Sequence, residues 1–146
     1  MAKDEDLPFW LAPKVRDACL CLHVQRAARA MARRFDDAFR PLGLTNGQFT
    51  LLMSLNGPVP PSIGAVSEVL AMDRTTLTAN LKPLERRALV KVVRDEKDRR
   101  SRLMVLTPAG RRLLAKAMPV WRKTHAAAEK LVADADRTRA DLIALS

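Results

Sequence analysis

The sequence predicts a mainly α chain with one small β-hairpin, an α+β domain whose helices carry most of the core. Three observations predict it. Apolar residues recur at spacings of three and four along most of the chain. Residues that cap helices stand at the head of most of these runs. A single pair of β-branched runs flanks one polar turn. The 146 residues, 48% apolar and 29% charged, suit one soluble domain with a core of its own.

Residues 1–13 read as an arm, because Pro8 and Pro13 bracket Phe9 and Trp10 and break regular structure. The apolar Phe9-Trp10-Leu11 is suited to docking, for instance on a second subunit. Residues 14–40 then form one long helix, with Leu20, Val24, Ala27, Met31, Phe35, Ala38 and Leu42 as its seam. Arg26, Arg29, Arg33 and Arg34 mostly avoid that seam, and Pro41 and Gly43 end the helix. Thr45 and Gln48 make a capping box for a second helix through Phe49, Leu52, Met53 and Leu55. Gly57-Pro58 stops it, and Pro58–Pro61 is a stiff loop.

Ser62 caps a short third helix carrying Ile63, Val66, Val69 and Leu70. A break near Ala71-Met72 leads to Asp73, the N-cap of a fourth helix that runs to about Arg87. Leu77, Leu81 and Leu84 face inward there, and Pro83 predicts a bend. Val90, Val92 and Val93 pair with Leu103, Val105 and Leu106 as a hairpin around Arg94–Ser101. Thr107-Pro108 opens a fifth helix to about residue 132, with Pro119 a further kink site, and a sixth covers 135–145.

Helices three and four have the lengths of a helix-turn-helix, and the hairpin behind them makes it winged. In that motif the second helix enters the major groove and its first residues meet base edges. Here those residues are Arg74, Thr75, Thr76, Thr78, Ala79 and Asn80. An arginine can pair bidentately with guanine, threonine methyls suit thymine methyls, and asparagine can read adenine. Lys82, Arg86 and Arg87 are suited to phosphates. The hairpin turn brings Arg94, Lys97, Arg99 and Arg100 together, with Asp95, Glu96 and Asp98 interleaved to pair with them and stiffen the loop. Such a tip can reach an adjacent minor groove.

Charge supports this placement. The chain carries a net +10, and residues 74–112 hold 12 Lys and Arg against 4 acids. A segment that basic suits a polyanion, because each phosphate contact releases counterions.

Other classes are disfavoured. The acidic start Met1–Asp6 is unlike a secretory signal, no run reaches the ~18 apolar residues of a membrane span, and a cytoplasmic location is expected. Cys19 and Cys21 do not make a disulfide framework, and on one helix they cannot bridge. They read as small buried hydrophobes. With His23 they cannot converge on a metal, and no phosphate loop, nucleophile elbow or paired-carboxylate motif is present. Neither an enzyme nor a cofactor is expected.

The stretch Asp95–Arg102 followed by Leu103–Gly110 resembles the wing and wing-to-helix signature of the MarR family of winged-helix regulators. Leu42–Phe49 is similar to that family's junction between its first two helices. Asp73–Thr78 with Leu81–Arg87 resembles its recognition helix.

The resemblance covers residue 14 to the C-terminus. It implies dimerisation helices at 14–42 and 108–146, a DNA-binding lobe at 45–106, and a homodimer on a pseudopalindromic operator of double-stranded DNA. It implies a repressor released by a small anionic or aromatic ligand, such as an aromatic acid or its CoA thioester. Arg29, and less directly Arg26, match by position the carboxylate contacts of some members. Cys21 falls where a peroxide-sensing branch keeps its reactive cysteine. That branch activates the thiol with tyrosines, which this chain lacks.

Overall fold

Six of the seven described α-helices begin at a side-chain cap. The computed structural model describes residues 7–146 and places α1 at Leu11–Ala18, α2 at Leu20–Phe39 and a 3₁₀ turn at Arg40–Leu42. α3 (Asn46–Ser54), α4 (Ile63–Val69) and α5 (Arg74–Arg86) follow, then strands β1 (Val90–Arg94) and β2 (Arg102–Leu106), and finally α6 (Pro108–Glu129) and α7 (Ala135–Leu145). The acidic start lies outside the described residues.

Thr45 and Gln48 close the expected capping box on α3. Ser62, Asp73 and Thr107 each accept the expected backbone N–H at the heads of α4, α5 and α6. These bonds satisfy donors that a bare helix end leaves orphaned.

The N-terminal reading needs correction. The arm ends at Trp10, because Pro13 falls in the first turn of α1, where its missing N–H is no loss. The single helix over 14–40 is two helices. Cys19 has extended backbone (ψ 107°) and caps α2 by accepting the Leu22 N–H on its Sγ. The seam spacing runs on through this one-residue break. The helix also stops at Phe39, so Leu42 belongs to the following turn. α6 ends at Glu129, three residues before the expected limit.

The core centres on Phe39, Leu52, Leu77, Leu84 and Met104, all fully buried. Phe39 stacks on Phe49 with ring centroids 4.6 Å apart. α2 packs on α6, and α3 touches α2, α5 and α6. α4 meets α5 and β2. The antiparallel hairpin pairs Val90 with Leu106 and Arg94 with Arg102. A bridge between Ser62 and Leu103 and a bond from Met104 N–H to the Pro61 carbonyl (2.9 Å) tie the wing to the head of α4. Wing and helix-turn-helix are therefore held by backbone bonds, in addition to the Leu77, Leu84 and Met104 packing. No described helix is long and apolar enough to cross a membrane.

Candidate nucleic-acid interface

α4 and α5 are separated by a tight turn in which Ala71 takes a left-handed conformation (φ 48°). Leu77, Leu81 and Leu84 anchor one face of α5 in the core and leave the opposite face outside. Arg74, Thr75, Thr76, Ala79 and Lys82 are exposed on it, and Thr78 is half-buried. The threonines are not equivalent. Thr76 donates its hydroxyl to Asp73 (2.8 Å) and Thr78 donates its own to the Arg74 carbonyl (2.7 Å). What these two present outward is mainly a methyl group.

Asn80 turns toward the protein: its amide donates to the Thr76 carbonyl (3.1 Å), and its Oδ1 would lie 3.2 Å from a Cβ placed at Gly47. Arg87, grouped with the phosphate contacts in the sequence, has a structural task. Its guanidinium donates to the Gly43 carbonyl (2.5 Å) and the Leu42 carbonyl (3.4 Å), pinning the end of α5 to the turn after α2.

The N-cap of α5 titrates. Asp73 accepts both the N–H and the hydroxyl of Thr76, and these bonds hold its carboxyl below the usual aspartate range. A depressed folded value means the cap contributes fully above the unfolded value, about pH 4, and is lost as pH falls through the folded one. Acid melts of wild type and Asp73→Asn are expected to diverge below about pH 4, since asparagine caps without titrating. Parallel curves would show that this carboxylate does not govern the helix start.

In the wing the acids act otherwise than expected. Asp95 accepts the Lys97 N–H (2.9 Å) and Asp98 accepts the Arg100 N–H (3.0 Å). They stiffen the loop through its backbone and do not pair with the arginines. Among the described residues, Arg94, Lys97, Arg99 and Arg100 are in no ion pair. The cationic ends are thus left free of direct carboxylate contacts. Between α4, α5 and the wing lies a cleft of about 510 Å³ lined by Ser62, Gly64, Arg74, Thr78, Arg100 and Arg102, among others. Ser62 enters it besides its capping role, and Arg102 was not picked out from sequence. Its signal is position: Arg102 is the first residue of β2, pairs with Arg94 at the loop end of the hairpin, and is exposed ahead of the apolar run Leu103–Leu106.

Elsewhere, Arg26 and Arg29 stand exposed on α2. Arg29 donates to Gln25 (3.3 Å), and Gln25 donates to Cys21 Sγ (3.2 Å). Cys21 is exposed in this chain, correcting its reading as a buried hydrophobe, and Cys19 is half-buried at the helix break. An apolar cleft of about 410 Å³ between α2, α6 and α7 includes Met31, Leu131, Val132 and Leu142 with Arg34 and Arg139, and neither Arg26 nor Arg29 lines it.

A short helix, a tight turn, an outward-facing second helix and a basic two-stranded wing define a winged helix-turn-helix protein. A MarR family model matches residues 42–101. The organic hydroperoxide resistance transcriptional regulator of Bacillus subtilis is 31% identical over 101 residues, which are 69% of this chain and 69% of that protein. The chain belongs to the MarR family. It spans between 41% and 69% of the length of the first curated relatives it matches.

Among solved structures, the M. tuberculosis transcriptional regulator MosR in complex with DNA superposes with a TM-score of 0.80 and 37% identity, covering 87% of this chain and 92% of that one. Bordetella bronchiseptica BpsR, whose DNA binding is regulated by 6-hydroxynicotinic acid, gives 0.75 and 25%, covering 87% and 91%. The relatives are transcriptional regulators, a non-enzymatic class.

Proposed function

We propose that this chain is a sequence-specific regulator that binds double-stranded DNA as a homodimer and represses from a pseudopalindromic operator. The observation that carries the reading is the exposed first turn of α5 beside a wing whose cations have no carboxylate partners. α5 lies in the major groove, where Arg74 pairs with guanine and Thr75, Thr76, Thr78 and Ala79 pack on neighbouring base edges. Lys82, Arg94, Lys97 and Arg100 neutralise the backbone. Arg99 reaches the flanking minor groove.

Two copies are needed to meet two half-sites about one helical turn apart. The exposed Trp10, Val15, Leu20, Leu142, Ile143 and Leu145 offer the apolar surface that a second copy would cover. Selection of bound duplexes from a random pool tests the reading. A two-fold symmetric consensus is expected, and recovery of unselected sequence would overturn it.

Arg99→Ala is expected to weaken operators with A·T-rich flanks by several-fold more than those with G·C-rich flanks, measured by titration at fixed salt. A loss independent of flank composition would move Arg99 to the phosphate backbone.

The effector is proposed to be a small aromatic anion, free acid or CoA thioester, bound through Arg29 and Arg26. Regulation of BpsR by 6-hydroxynicotinic acid supports an aromatic acid. The apolar cleft adds Arg34 as a third candidate for its carboxylate. Release of labelled operator by a panel of aromatic acids is the check.

A second reading, redox sensing at Cys21, is favoured by the exposure of that thiol and by the Gln25 N–H aimed at its sulfur. A hydroperoxide would oxidise the thiol to a sulfenic acid and leave as the alcohol. Mass spectrometry after mild cumene hydroperoxide is expected to show Cys21 modified and the operator released. An unmodified Cys21 with affinity intact removes this reading.

A further inference from the structure

Gly64 occupies the second position of α4, and its backbone gives no reason for glycine. Among the described glycines only Gly43 has a positive φ. Inside a helix, glycine is less favourable than alanine. Space gives the reason. A Cβ at Gly64 would stand 3.1 Å from Arg74 Nη2, 3.9 Å from its Cζ and 4.0 Å from Ser62 Oγ. The guanidinium of Arg74 leaves its own helix and lies over the first turn of α4, in the cleft that the wing's Arg100 and Arg102 also line. Asp98 lines the same cleft, but among the described residues none of these three arginines is in an ion pair with it or with any other carboxylate.

We propose that Gly64 is a positioning residue for base recognition: its missing side chain forms a seat for the Arg74 guanidinium, and the seat sets the direction from which Arg74 meets its base. The proposal rests on the reading of Arg74 as a base contact. A long arginine free in solvent samples many rotamers and loses them on binding. A side chain already laid across a rigid turn loses fewer, and it approaches the groove from one side. Ala at this position crowds the guanidinium by a few tenths of an ångström. Leu fills the seat and displaces the guanidinium from it.

The test is a double-variant cycle on the full chain, with the operator obtained by selection and a random-sequence duplex as control. Gly64→Leu is expected to lower operator affinity about tenfold, within what one bidentate base contact carries. It is expected to flatten preference at the base pair that Arg74→Ala flattens, with random-duplex affinity unchanged. In an Arg74→Ala background it adds nothing, because its effect passes through that side chain. Gly64→Ala, which meets only the flexible end of Arg74, keeps the fold and gives a smaller loss of about threefold in the same pattern.

Wild-type affinity and preference in both Gly64 variants, with Arg74→Ala still defective, would overturn the seat and leave the base contact standing. Additive losses would also overturn it. An Arg74→Ala chain that discriminates normally would remove the base contact itself, and the seat with it.

Discussion

Gly110→Ala is expected to destabilise the chain by about 3 kcal/mol or more, at or beyond the upper end of ordinary overpacking. A Cβ at Gly110 would lie 2.2 Å from the Leu89 carbonyl oxygen and 2.7 Å from Leu106 Cδ1. The first contact is with backbone that cannot step aside. The Leu89 carbonyl accepts the Thr107 N–H (3.1 Å), and the Thr107 hydroxyl donates to the Ala88 carbonyl (2.7 Å) while lying 3.0 Å from the Leu89 carbonyl oxygen. The head of α6 is thus bonded to the chain just before β1. An added methyl must lift α6 off the hairpin or break those bonds, and either exposes Leu106 and Met104. Because the hairpin is the wing, DNA affinity is expected to fall with stability. Urea unfolding within about 0.5 kcal/mol of wild type would show that the helix and wing part easily.

Arg74→Ala is expected to weaken specific binding by about 1–3 kcal/mol for each half-site it serves, roughly 5- to 150-fold. On a symmetric operator bound by a dimer the loss counts twice. Arg74 is the first residue of α5 and has no partner carboxylate, and the cap that starts the helix belongs to Asp73 and Thr76. Removing its side chain therefore leaves the helix in place. The loss is expected at one base pair of each half-site, with the others read as before. An equal loss on all sequences, with the salt slope reduced by about one, would make Arg74 a phosphate contact.

Much of the fold was legible in the sequence because its signals are local. Thr45 with Gln48, Ser62, Asp73 and Thr107 each cap a helix three residues or fewer downstream, and each makes the bond its position implies. The leucine spacing of α5 likewise named its buried face. The break at Cys19 was not legible. No glycine or proline marks it, and the apolar spacing passes through it. Pro13 misled in the opposite sense, since a proline in the first turn of a helix is harmless.

At the candidate interface the sequence named the basic residues but not their partners. Arg87 is tied to a carbonyl 44 residues away, which no spacing rule reaches. Asp95 and Asp98 looked like partners for the wing arginines. Their short side chains instead turned back to amides two residues on, which is the ordinary habit of aspartate in a turn. Gly64 and Gly110 carry meaning only through what approaches them in space.

The central claim is that α5 reads sequence while the wing grips the backbone beside it. Competition between the selected operator and random-sequence duplex, at physiological salt, tests it most directly. About a thousandfold or greater preference for the operator is predicted. A preference near unity, however tight the binding, would contradict it.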